Sequence, residues 1–258
     1  RKSLLGKARA RPDLVKRVIE KARTEGVAST FREAKGRLEM PTKLGYSSAG
    51  VVVECAEDVT RFAPGDRVAC IGAAGANHAE YITVAEKLAA PIPEGVASDQ
   101  AAFGQIAIIA LHGVRMAELS FGARVGVVGL GLLGLLTVQF LRAYGCVAIV
   151  MDPDESKCEL ARKHGTEIAV CDADSFAQAV TGASDGAGAD AAIIAAASES
   201  GAPLAAATEA CRAGGRIVIV GVTDINPDRQ QLWDKEIELV VSKAGGPGFL
   251  VPQYEEGG

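Results

Sequence analysis

Residues 124–152 read RVGVVGLGLLGLLTVQFLRAYGCVAIVMD, and the fold is decided here. Residues 125–128 are small and mostly β-branched, the pattern of a strand buried on both faces. Gly129, Gly131 and Gly134 follow at GxGxxG spacing. The first glycine permits a tight turn, the second lets a pyrophosphate lie against bare backbone, and the third lets the next helix approach the strand. That helix is predicted over 132–144. Its first turn, with Leu130, Leu132 and Leu133 around the glycines, aims unpaired N–H groups and a positive dipole end at phosphates. Gly145 stops it, and a second apolar strand over 147–151 delivers Asp152 to its carboxyl end.

GxGxxG alone is a weak signal. Here a strand before it, a helix after it, a second strand, and an acid eighteen positions beyond Gly134 agree, and together they predict a dinucleotide site. An ionised Asp152 only accepts hydrogen bonds, so it suits the two hydroxyls of an adenosine ribose and repels a 2′-phosphate. The next residues, Pro153, Asp154 and Glu155, offer nothing to hold that phosphate. The expected cofactor is therefore NAD. Asp152 is also readable as the N-cap of a helix from Glu155 onward.

The chain has 258 residues, a size at which a single core gives way to two domains. Its apolar fraction of 48% supplies packed cores, while no apolar run approaches the ~20 residues that span a bilayer. Neither a membrane nor nucleic acid is expected as a partner. Six scattered cysteines without a CxxC pair read as buried reduced thiols, and with no signal peptide recognised the expected location is cytoplasmic. Residues 1–43 carry a balance of +8 and the remainder −13. The basic arm reads as a solvated helix face or as a surface for an acidic partner.

Upstream, residues 12–40 predict a helical hairpin: Pro12-Asp13 opens the first helix, Gly26 breaks it, and Thr30-Phe31-Arg32-Glu33 fits a capping box. From 45 the pattern becomes β, with strands expected over 45–54, 67–71 and 79–84 separated by Pro/Gly turns. Ser98-Asp99 predicts the N-cap of an apolar helix through Glu118. Downstream, strands and helices alternate: strands over 167–170, 190–196, 216–220 and 237–241, helices over 155–164, 175–180 and 202–212. Six strands complete a doubly wound parallel sheet of order 3-2-1-4-5-6, an α/β architecture. Ligands lie at the carboxyl ends of such strands, so Ala196, Ala197, Ser198, Gly221, Val222, Ser242 and Lys243 are candidate lining.

The order GYSSAGVVVE, PGDRVACIG, AEYITV, PIPEGV, then GARVGVVGLGLLGLLTVQFLRAYG resembles the medium-chain dehydrogenase/reductases. Those pair a GroES-like β domain with a Rossmann domain. Within them the N-terminal basic stretch, LGYSSAG, KEIELVVSKAGGPG and YEE look like the dehydrogenase half of bi-domain oxidoreductases. The resemblance implies a partial GroES-like domain with the hairpin over 1–118, an NAD-binding domain over 119–250, and a tail over 251–258. It also implies a chain shortened at both ends, and Lys157 contacting the same ribose as Asp152.

Two departures stand out. Zinc-dependent members carry Gly-His-Glu where this chain has Gly45-Tyr46-Ser47, and the four-cysteine lobe after the GDRV strand is missing. With His78, His112 and His164 far apart in sequence, no metal is expected. The proton work of a carbonyl reduction then falls to a side chain: Tyr46 first, Ser47 as a relay, His112 more weakly. Tyr46 is equally readable as a core tyrosine bonded to a carbonyl. The leading function is zinc-independent, NAD(H)-dependent hydride transfer on a sugar- or polyol-like carbonyl or alcohol, or an activated double bond. The alternative is a catalytically silent NAD-binding module docking a partner domain. A methyltransferase is a third reading, disfavoured by the sixth strand and the β domain. A homo-oligomer and a fused or docked second oxidoreductase domain stay open as partners beside a small-molecule substrate.

Overall fold

The structure, a computed structural model, describes residues 44–73 and 75–246. The chain divides into two compact units, residues 1–44 and 45–258. The expected helical hairpin and the C-terminal tail lie outside the described residues.

The second unit opens with a three-stranded antiparallel sheet: β1 (Ser47–Val51), β2 (Arg67–Ile71) and β3 (Ala89–Pro91) in the order β1-β2-β3. Ser47 pairs with Ile71 and Val68 with Pro91. Val68, Cys70 and Ala76 are its buried core, with Val52, Phe62, Ile82 and Val84 packed around them. The strand expected over 79–84 joins no ladder. Its apolar side chains Ile82 and Val84 reach this core, but its backbone takes bends instead of sheet pairing.

Two helices lead onward, α1 (Ser98–Ala101) and α2 (Gly104–Met116). A single helix from the Ser98-Asp99 cap was expected, and the break has a visible cause. The Ser47 hydroxyl donates to the Ala102 carbonyl at 2.6 Å and accepts from the Gln105 N–H at 3.1 Å, so β1 supplies the groups that end one helix and start the next. The cap also falls one residue earlier: the Ala97 N–H donates to the Gln100 side chain.

The large sheet is parallel, in the order β6-β5-β4-β7-β8-β9. Its strands are β4 (Arg124–Val128), β5 (Val147–Met151), β6 (Ile168–Val170), β7 (Ala189–Ile194), β8 (Cys211–Ile219) and β9 (Glu238–Val241). Numbered within the sheet this is the 3-2-1-4-5-6 arrangement that the alternation of elements predicts. The crossovers are α3 (Leu132–Ala143), α4 (Glu155–Lys163), α5 (Ala173–Ala183) and α6 (Ala202–Ala210), and α7 (Arg229–Lys235) precedes β9.

Alternate strand residues point to opposite faces, so the sheet builds two cores. Ile149, Ala192, Ile194, Ile217 and Ile219 pack against Phe176 and Val180 of α5 and Leu204 and Ala207 of α6. On the other face Val125, Val127, Val150, Ile193 and Val218 meet Val114 of α2, Val138 and Leu141 of α3, and Cys158 and Ala161 of α4. Each fully buried Val, Ile, Leu or Phe contributes about 1.5–3 kcal/mol relative to exposure.

Local chemistry sets the ends. Asp154, Asp172 and Asp228 cap α4, α5 and α7 through their side-chain oxygens. The α4 cap is thus Asp154, not Asp152, because Pro153 carries the chain on and Asp154 takes the extended backbone of a cap. The stretch around Trp233 is helical as α7, with Trp233 exposed. β8 begins five residues earlier than expected, at Cys211, with a register shift where Ala189 and Ala191 pair with it. At the amino edge of the sheet Arg216 donates to the Met116 carbonyl at 3.1 Å and pairs with Glu118 and Glu238, joining α2, β8 and β9.

Candidate active site

The turn after β4 shapes the centre of the site. Gly129 adopts φ +95° and donates to the Met151 carbonyl at 2.8 Å. A side chain there would press on the Ala196 backbone, 2.6 Å from its nitrogen, so two strand ends and the turn meet without side chains between them. Gly134 lies so close to the Gly129 carbonyl that a Cβ would collide with it, which seats α3 directly over the turn. Gly131 differs: its Cβ direction is open space. No side chain caps α3 at Gly131, so the N–H groups of Leu132, Leu133 and Gly134, which have no acceptor within the helix, face outward unclaimed.

Asp152 is 5% exposed at the end of β5. One carboxylate oxygen accepts from the Leu130 N–H at 2.8 Å and the other from the Asp154 N–H at 3.0 Å. Lys157 brings its Nζ to 3.2 and 3.4 Å from the two oxygens. A carboxylate offers about four lone-pair sites, and these four contacts fill them; the two from Lys157, at 3.2 and 3.4 Å, are the longest and would be the ones a ligand diol shares or displaces. The sequence-predicted pair Asp152 and Lys157 is therefore together, one turn apart on α4 and its approach.

The remaining candidates line the carboxyl edge. The Val220 and Gly221 N–H groups both donate to the Ile194 carbonyl, and Ser198 N–H donates to the Val222 carbonyl. These bonds fix the loops that hold Ala196, Ala197, Gly221 and the exposed Val222. Ser242 follows β9, anchored by its N–H on the Ile219 carbonyl at 2.8 Å. Its hydroxyl is buried without a hydrogen-bond partner among the described residues.

The three proton-transfer candidates separate. Tyr46 is 43% exposed, and its backbone carbonyl accepts from Gly72 N–H. The His78 ring rests on Gly45 beside it, with no room for a Cβ there. Ser47 spends its hydroxyl on α1 and α2, as described above. His112 is half-buried on α2 and packs against Gly246, whose added Cβ would lie 2.7 Å from the imidazole Nδ1. Burial lowers the His112 pKa from its ordinary value, and Arg115 adds to this.

A group of side chains able to ligate a metal lies elsewhere. Glu155, Cys158 and Cys171 bring their donor atoms within 4.8 Å of one another, and among the described residues this is the one such trio. The Cys171 thiol donates to Glu155 at 2.6 Å, and that bond, aided by its own burial, pushes its pKa up to about 12. Sequence reading missed the group because its members sit thirteen and sixteen residues apart on two elements. The signal available was the expected side-by-side placement of β5 and β6, which puts Cys171 beside the end of β5.

Profiles of known families match both parts of the chain. One described as "Alcohol dehydrogenase GroES-like domain" matches residues 21–94, and one described as "Zinc-binding dehydrogenase" matches residues 133–254. The chain belongs to the medium-chain dehydrogenase/reductase superfamily. It is 34% identical over 126 residues to D-guloside 3-dehydrogenase of Escherichia coli K12, a match covering 48% of this chain and 36% of that protein. The solved 2R,3R-butanediol dehydrogenase of Bacillus subtilis superposes with a TM-score of 0.71 at 23% identity, over 84% of this chain and 70% of that one. A mycobacterial protein solved with NADPH gives 0.66 at 22% identity, over 81% and 67%. The last two likenesses concern the fold.

The family description names zinc, and the donor set argues against it near Tyr46. Among the described residues, the side chains there are a phenol, a hydroxyl already committed to helix ends, and the His78 imidazole. The three-donor group of Glu155 lies instead beside the Asp152 end of the sheet. Tyr46, Ser47 and His78 do not make a zinc set of the kind that polarises a carbonyl.

Proposed function

We propose that the chain is an NAD(H)-dependent oxidoreductase that moves hydride to or from a sugar- or polyol-like carbonyl or alcohol, or an activated double bond, without zinc at the reacting carbon. The observation that carries this is the uncapped first turn of α3 beside the Asp152 carboxylate, which ends β5 and is faced by Lys157. A bound nicotinamide supplies or accepts the hydride with its electron pair. In this reading the N–H groups of 131–134 hold the pyrophosphate, and Asp152 and Lys157 hold the adenosine ribose. Ala196, Ala197, Gly221, Val222 and Ser242 line the nicotinamide half, and Ser242 donates or accepts there.

In the alcohol direction a C–H bond breaks and the hydroxyl proton must leave. Tyr46 is the first candidate to hold that proton, with His112 second, and Ser47 positions α2. We divide the chain into a GroES-like part over 1–118 and a coenzyme part over 119–250. The six free thiols suit a reducing cytoplasm.

Calorimetric titration with NADH and NADPH, followed by hydride exchange against a panel of polyols and sugars, tests the proposal. Tighter NADH than NADPH binding, with turnover that drops in Tyr46→Phe, is expected. Absence of coenzyme uptake by folded protein rejects it, and uptake without turnover on any substrate points to the silent module.

A further inference from the structure

Glu155 and Cys158 occupy the first turn of α4 at i, i+3 spacing, which puts them on one face. Cys171 follows β6, whose Val170 pairs with Met151 of β5. Two elements separated in sequence therefore converge one turn from the ribose-binding acid. The Cys158 and Cys171 sulfurs are 3.8 Å apart, and Cys171 lies 2.6 Å from Glu155 Oε2.

We propose that Glu155, Cys158 and Cys171 bind a soft divalent cation of the zinc class, with water as fourth ligand, and that this ion clips α4 to the end of β6. Tetrahedral zinc with Zn–S bonds of about 2.3 Å places two sulfurs about 3.8 Å apart, matching the observed separation. A zinc-bound oxygen and sulfur sit roughly 3.6 Å apart by the same geometry, so the Glu155 oxygen retreats by about an ångström as the thiol proton leaves. The carboxylate is already aimed for this. Its other oxygen is held by Arg162 at 2.7 Å, and Arg162 is itself fixed by the Ala169 carbonyl at 2.7 Å. Two sulfurs and one oxygen suit zinc or cadmium and do not suit calcium or magnesium, which take oxygen sets.

Cys158 is fully buried and Glu155 is exposed, so the ion enters from the Glu155 side and ends against the core. Binding displaces two thiol protons to solvent. The formal charge of the cluster is −1 before binding, from the carboxylate, and −1 afterwards, from one dication, two thiolates and the carboxylate. Asp152 and Lys157 consequently feel no new net charge. The ion acts by fixing position, not by altering the field at the coenzyme.

The full chain, reduced and stripped with chelator, is titrated with cadmium and separately with zinc. One equivalent bound per chain, an ultraviolet sulfur-to-cadmium band, release of about two protons and a rise in melting temperature with excess zinc are expected. Cys171→Ser abolishes the band, Glu155→Gln weakens binding by about tenfold, and Cys55→Ser, outside the cluster, leaves it intact. Glu155 is exposed and Cys171 only partly buried, so their variants keep the test decisive even if Cys158→Ser does not fold. A band that survives Cys171→Ser overturns the proposal. So does a reduced chain that takes up no metal, including one whose two thiols are instead lost together on oxidation.

Discussion

The backbone N–H of Leu130 donates to the carboxylate of Asp152 at 2.8 Å. The acid ending β5 thus fixes the residue between the first two glycines of the neighbouring turn, and in the proposed reading the same side chain also holds the ribose. Asp152→Ala is expected to cost NAD(H) binding about 1–3 kcal/mol, the usual penalty for partners left unpaired. Asp152→Asn keeps an oxygen for Leu130 but loses the charge facing Lys157, and should fall between. Calorimetry on the three proteins checks this, and equal affinities would remove the role assigned to Asp152.

Gly131 and Gly134 should respond oppositely to added side chains. Gly131 has φ −67°, which suits any residue, and open space where a Cβ would go. Gly131→Val should melt at an unchanged temperature yet lose NADH binding. Gly134→Ala drives a methyl into the Gly129 carbonyl and should destabilise the fold by about 1–3 kcal/mol. Thermal denaturation with and without NADH distinguishes the two; NADH stabilising Gly131→Val as it does the parent would place the phosphates elsewhere.

The centre of one core rests on a contact between Gly126 of β4 and Phe176 of α5, whose ring would lie 2.9 Å from an added Cβ. Phe176→Ala should cost about 3–5 kcal/mol. Gly126→Ala alone should also destabilise. Combined with Phe176→Ala it should cost less than the sum, because the methyl enters the space the ring leaves. Urea denaturation of the four proteins measures the coupling, and strict additivity would show that the backbone shifts instead.

His112 gives a pH signature. Burial lowers its folded pKa below the ordinary imidazole value of about 6.5. The unfolded chain therefore binds the proton first, and its contribution to stability is full above pH of about 6.5 and declines as pH falls through the folded pKa. Melting temperature should drop across that window, and His112→Gln should flatten the curve. An unchanged slope in the variant would assign the effect to another group.

Much of the large sheet was readable because its signals are local. The apolar runs of 125–128 and 147–151, the glycine spacing and Gly145 each constrain a few adjacent residues, and right-handed crossovers then leave one strand order. The small sheet was less readable. Ile82 and Val84 have a strand's alternation and do point into the core, but pairing depends on a neighbouring backbone that alternation does not encode. Ser47 looked like chemistry because of its place beside Tyr46, whereas its hydroxyl is taken by Ala102 and Gln105, residues more than fifty positions away. The helix around Trp233 was not legible in advance, because the Asp228 cap before it is visible only once its oxygen meets Gln230. The Glu155, Cys158 and Cys171 trio needed the β5–β6 pairing before its members became neighbours.

The Arg216 brace lies at the amino edge of the parallel sheet, whereas the glycine turn, Asp152, Ala196 and Ser242 all lie at the carboxyl edge. Foundation and business end are thus physically separate. Residues at the open rim can be exchanged while the guanidinium keeps three elements stapled beneath them. A library that varies Ala197, Val222 and Lys243 explores specificity on a chassis that remains folded.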